Sequence, residues 1–207
     1  MARHKARMKF LDFGIIPCMY EDLAKQIVQL LSTKSPVVVA ISGYGGSGKS
    51  SLADKLATQF GVNENQIIRT DDLHALNYMH VKDIFQQRDW PVIMDLLANI
   101  KTNKRLKYLK RNDKEVESSV DVPLPRLVIF EGIHLLRPQI MSYVDISVWI
   151  DCPLQLATNR AKERNRQQGD SEADIALWDT KWVPEAKQYY ERVAPQKIAN
   201  FIYKEYE

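Results

Sequence analysis

The chain is poor in cysteine, in glycine and in long apolar runs. Two cysteines occur among 207 residues, Cys18 and Cys152. They lack the paired spacing of a zinc site or a disulfide framework, which excludes a cystine scaffold and points to a reducing, cytoplasmic setting. No apolar run approaches the ~20 residues needed to span a bilayer, and the opening residues lack the apolar stretch of a secretory signal. No membrane partner is expected. Neither sign of charge dominates: 29 Lys and Arg face 26 Asp and Glu, for a net +3. That is far from the concentrated basic face of a nucleic-acid binder, so no nucleic-acid partner is expected either. The basic opening Met1 to Lys9 reads as a solvated terminus. What remains, 45% hydrophobic and 27% charged residues, is ordinary globular composition. The length suits one domain with a small lid.

Apolar residues at Tyr20, Leu23, Ala24, Ile27, Leu30 and Leu31 recur at helical spacing, so an amphipathic helix occupies an N-terminal extension, residues 1–35. Pro36 then opens Val37-Val38-Val39-Ala40-Ile41, a β-branched run without alternation, as in a strand covered on both faces. Further strands are expected at 66–69, 127–130 and 146–150, with helices near 50–60, 91–101 and 153–168. Strands alternating with helices predict an α/β fold, a parallel sheet flanked by helices, over residues 36–207. Residues 101–122 are polar and charge-mixed, and read as a surface hairpin or mobile loop. Pro184 starts a helix that Pro195 stops, and a last strand spans 200–203.

Four of the eight glycines fall in one loop, Gly43-Tyr44-Gly45-Gly46-Ser47-Gly48-Lys49-Ser50. The spacing is that of a phosphate-binding loop, set between a buried strand and a helix as the mechanism requires. Glycines let the backbone aim several N–H groups at phosphate oxygens, and the helix N-terminus adds its positive dipole end. Gly43, Gly45, Gly46, Ser47, Gly48, Lys49, Ser50 and Ser51 are therefore the candidate ATP-binding residues. Lys49 would reach the β- and γ-phosphates and Ser50 would take Mg²⁺.

Asp71 and Asp72 follow a strand end, where ligands of open α/β sheets collect. Asp71 is the candidate base for a hydroxyl and a candidate partner of Mg²⁺; Asp72 suits a helix cap, and His74 is weighed as a packed histidine. Glu131, at the end of the third buried strand and before Gly132, is the candidate organiser of Mg²⁺. Arg160 and Arg164 share one helical face and suit the charge of a transferring phosphoryl group. Arg166 lies just beyond, before the polar Gln167 to Asp170, and is a candidate substrate-binding residue. The plainer alternative for these arginines is a solvated helix.

In this order the pieces resemble the uridine kinase and phosphoribulokinase family of P-loop kinases, over most of the chain from about Pro36 to Tyr203. The resemblance implies a nucleoside- or nucleotide-kinase-like P-loop NTPase fold with a small helical lid, here about 153–182. It implies a phosphotransferase that uses ATP and Mg²⁺ and an alcohol group as acceptor, with Asp71 as base, Glu131 on magnesium and the stretch around Arg160 and Arg164 as the lid. Asp89-Trp90-Pro91-Val92-Ile93-Met94-Asp95-Leu96-Leu97 is similar to the family's acceptor motif and nominates Asp89, whose alternative is a helix N-cap. Asn200 stands where the family has aspartate. The segment that reads a pyrimidine has no matching histidine or arginine after Tyr108, so Tyr78, Trp90 or Tyr108 would have to contact a base by stacking. The expected partner is a small-molecule acceptor, a nucleoside or riboside, with pantothenate or another small alcohol as the alternative; self-association is compatible with the sequence. A P-loop switch is the rival class, but Asn112-Asp113-Lys114-Glu115 is not a guanine reader.

Overall fold

The computed structural model describes residues 17–111 and 117–204. The basic opening, and Asn112 to Glu115, lie outside them. Along the chain run β1 (Pro17–Cys18), α1 (Tyr20–Leu31), β2 (Val37–Ser42), α2 (Lys49–Phe60), β3 (Ile68–Arg69), α3 (Trp90–Asn99), β4 (Arg105–Arg111), β5 (Glu117–Pro123), β6 (Leu127–Glu131), β7 (Ile146–Ile150), α4 (Leu154–Gln168), α5 (Glu172–Leu177), α6 (Val183–Val193), α7 (Pro195–Ile198) and β8 (Phe201–Tyr203). A π-helical turn, Trp178–Trp182, joins α5 to α6.

Six strands form one parallel sheet in the order β1-β8-β7-β2-β6-β3. The chain moves from β2 outward to β3, returns to β6 beside β2, then crosses to β7 on the other side. The order thus reverses around β2, and its C-terminal end is the crevice where such sheets bind ligands. The β-branched run of β2 is buried at every position, because successive side chains enter opposite cores. Val37, Val39 and Ile41 face the core made with α1 and α2. Val38 and Ala40 face the core made with α3, α6 and the β4–β5 hairpin. Leu23 and Ile27 of α1 are fully buried in the first core, so that helix packs on the sheet as one of its covering layers.

Two expectations change in detail. The strand expected at 66–69 shortens to β3, because Gln66 closes a 3₁₀ turn, Glu64–Gln66. Pro195 does not only stop α6: the left-handed Ala194, φ 48°, ends α6 and Pro195 opens the four-residue α7. Residues 101–122 hold an antiparallel hairpin with Arg105 opposite Pro123 and Arg111 opposite Glu117. Its alternation turns Leu106, Tyr108 and Val120 inward and the charged residues outward. Asn200 closes the sheet, its Oδ1 accepting from the Ser147 amide at 2.9 Å and hydroxyl at 2.8 Å.

Candidate active site

The loop after β2 borders a cavity of about 820 Å³. Gly48, at φ 96°, turns the chain into α2 in a conformation that glycine adopts freely. Gly46, at φ 80°, lies against α4: a Cβ there would meet the Ala157 carbonyl at 2.2 Å. A Cβ on Gly45 would meet the Trp178 ring at 2.6 Å. Gly43, Gly45, Gly46, Gly48, Lys49, Ser50 and Ser51 all line the cavity. Ser47 does not; its buried Oγ sits beneath Gly43 and has no hydrogen-bond partner.

Lys49 is buried and donates to the Tyr44 carbonyl at 2.8 Å. Burial lowers its pKa against the pull of Glu131 and Asp71. Ser50 donates to Glu131 Oε1 at 3.1 Å. Burial raises the pKa of Glu131, which Lys49 opposes and Asp71 reinforces. Among the described residues no cluster of three or more His, Cys, Asp or Glu could hold an ion unaided. A serine hydroxyl and one buried carboxylate side by side, at the foot of a phosphate cradle, fit the way Mg²⁺ binds through few protein ligands and substrate phosphates.

Asp71 stands on a 3₁₀ turn just after β3. Its carboxylate is 66% exposed, yet Oδ1 accepts from Arg88 at 2.7 Å. Desolvation pushes the Asp71 pKa up, but Arg88 and Lys49 outweigh it and hold the group below the usual carboxylate range. Arg88 itself is 4% exposed in its side chain and also meets His74 Nδ1 at 3.2 Å. His74 stacks on Tyr78 with ring centroids 3.8 Å apart. Asp72, at the cavity edge, pairs with Lys110 of the hairpin at 2.7 Å.

Arg160 and Arg164 line the cavity from α4. The cavity is also lined by Tyr44, within the loop, and by residues that no motif marks: His134, Trp178, Trp182, Glu185 and Tyr189. Burial, with Arg88 nearby, lowers the His134 pKa to about 3, so that ring stays neutral at ordinary pH. Only the helical spacing of Trp178, Trp182 and Glu185 hinted that they share a face. Arg88 sits beside the Asp89 motif, but nothing in its spacing distinguishes it from a surface arginine.

Three expected acceptor residues lie elsewhere. Tyr108 is buried in the second core with its hydroxyl unpartnered, because the β4 alternation turns it inward. Arg166 points away from the cavity toward Glu163 and Glu172, at 3.8 and 3.5 Å. Asp89 caps α3, accepting from the Val92 amide at 3.3 Å, and lines a second cavity that shares Arg88 with the first.

No protein-family profile matches the chain. Curated relatives do: the uridine kinase of Haemophilus influenzae (strain PittGG) is 29% identical over 198 residues, covering 83% of this chain and 92% of that protein. The uridine kinase of Ureaplasma urealyticum serovar 10 is 24% identical over 183 residues, covering 78% and 85%. The chain is thus similar to uridine kinases over most of its length. It is an ATP-dependent phosphotransferase with a hydroxyl acceptor. Solved structures share the fold: one described as a possible uridine kinase from Bacillus stearothermophilus superposes with a TM-score of 0.61 at 19% identity, over 88% of this chain and 99% of that one. D-glycerate 3-kinase from Cryptococcus neoformans var. grubii gives 0.59 at 15% identity, over 86% and 89%. Among the described residues no helix is long and apolar enough to cross a membrane.

Proposed function

We propose that this kinase transfers the γ-phosphoryl group of ATP to the hydroxyl of a nucleoside or riboside, as its curated relatives' names suggest. The triphosphate lies along Gly43 to Ser51, and Ser50 and Glu131 hold Mg²⁺, which neutralises phosphate charge when bound. Asp71 accepts the proton of the attacking hydroxyl. Lys49, Arg160 and Arg164 face the transferring group, the arginines from a lid formed by residues 153–182. One observation carries the reading: the Asp71 carboxylate is 66% exposed to the cleft while Arg88 fixes its other side at 2.7 Å. That is how a base must stand, held from behind and open in front.

The test is an acceptor screen by ADP release, with uridine, cytidine and nicotinamide riboside, on wild type and Asp71→Asn. Acceptor-dependent release that Asp71→Asn abolishes supports the assignment; wild-type rates in the variant remove Asp71 from the chemistry. Asp89 favours a second reading, a small alcohol such as pantothenate, since its carboxylate is already engaged by the Val92 amide and stands 3.7 Å from Arg111. A deoxy series separates the two: removing the 2′- or 3′-hydroxyl raises KM only if Asp89 still holds the diol.

A further inference from the structure

The second cavity, about 550 Å³, is lined by Arg88, Asp89, Trp90, Arg111, Arg137 and Phe85, among others. Its guanidinium groups are not equally compensated. Arg88 is paired with Asp71 at 2.7 Å, and Arg111 with Glu117 at 2.7 Å and more distantly with Asp89 at 3.7 Å. Arg137 lies 4.1 Å over the Trp90 ring and 4.8 Å over the Phe85 ring. Among the described residues no carboxylate stands within ion-pair distance of it. Trp90 Nε1 and Arg88 Nε are buried, and neither has a hydrogen-bond partner.

Stacking on two rings fixes the plane of a guanidinium and leaves its N–H edge as the part that binds. An arginine that is partly desolvated and unpaired is costly unless a ligand completes it. Arg192 also covers Phe85, at 4.4 Å, and has Asp83 within 3.9 Å, so the ion pair of that carboxylate goes to Arg192. Burial presses hardest against the ionisation of Arg137, outweighing the pull of Tyr189 and Asp83, and the Arg192 charge adds to it.

We infer that the acceptor carries an acidic group, a carboxylate or a phosphate, which Arg137 binds in this second cavity while the acceptor's hydroxyl reaches Asp71 past Arg88. This rests on the proposed function in one respect, that Asp71 takes the proton of the acceptor's hydroxyl. It goes beyond it in naming what distinguishes the preferred acceptor from a neutral nucleoside. A bidentate guanidinium suits either acid, and the aromatic walls suit a planar or apolar body beside it.

Matched pairs that differ only in the acid test this: orotidine against uridine, pantothenate against pantothenol, and glycerol 3-phosphate against glycerol, each scored by acceptor-dependent ADP release. The expected result is a kcat/KM at least tenfold higher for an acidic member than for its neutral partner, and loss of that preference in Arg137→Met through acceptor KM. Arg137→Lys should restore part of it. The pair that responds distinguishes carboxylate from phosphate. Turnover of neutral members only, equal turnover of both, or a preference that survives in Arg137→Met overturns the inference and leaves the kinase and the Asp71 assignment standing. Acceptor-dependent release that persists in Asp71→Asn instead overturns the proposed base.

Discussion

At the residue scale the proposed chemistry turns on a pair that sequence spacing only half reveals, Asp71 and Arg88. Arg88 holds the carboxylate in place and also weakens it as a base, because the ionised form is stabilised by the guanidinium. Asp71→Asn is expected to lose about 10² to 10⁴ in kcat, with ATP affinity little changed; a steady-state measurement at saturating acceptor checks it. Arg88→Met should act in the opposite sense on the pH profile. With the guanidinium gone, only Lys49 and His74 oppose desolvation, so the Asp71 pKa rises and the acid limb of kcat/KM moves to higher pH. A profile whose acid limb stays where it was would assign the limb to another group. Glu131 gives a stability prediction of reverse sign to the usual carboxylate. Its folded pKa lies above the unfolded value, so ionisation at neutral pH opposes folding, and the opposition fades as pH falls through the folded pKa. Glu131→Gln should therefore melt at or above the wild-type temperature at pH 7 and lose that advantage in acid, while needing more Mg²⁺ for turnover. Thermal melts across pH, alongside a magnesium titration, measure both.

At the element scale the close contact of Gly46 with α4 makes the loop and the proposed lid one mechanical unit. Gly46→Ala combines a left-handed backbone with a Cβ 2.2 Å from the Ala157 carbonyl, and something must shift. Nucleotide affinity should fall by at least tenfold, with loss of stability as well, as read by ATP titration and melting. Much of this architecture was legible in the chain. The unbroken burial of β2, β6 and β7 forces β-branched runs, and the helical periodicity of α1 predicts its bounds to the residue. The loop glycines announce themselves because backbone approach to phosphate admits few other residues. The hairpin was harder to read, since lysines and arginines on its outer face dilute the alternation of Leu106, Tyr108 and Val120. The aromatic lining of the cleft was illegible for a different reason. Trp178, Trp182, Glu185 and Tyr189 come near Asp71 only through tertiary folding, across roughly a hundred residues of chain, and no local spacing encodes that.

At the scale of the whole molecule, the two cores on opposite faces of one sheet divide the labour. The core with α1 and α2 sits behind the loop after β2, and the other, with α3, α6 and the hairpin, lies on the side of the proposed acceptor. Because Leu23 and Ile27 are fully buried in the first, replacing either with Ala should cost about 2 to 5 kcal/mol, measurable by denaturant unfolding. An unfolding midpoint equal to wild type would make α1 dispensable to the core. The hairpin stands in another relation to the rest. Its strands form a two-stranded sheet of their own rather than joining the six-stranded one, and it contributes Arg111 to the second cavity and Lys110 to Asp72. In evolutionary terms that makes it an exchangeable part. Change in its length or charge would alter the lining of the second cavity while leaving the ladder of the main sheet in place.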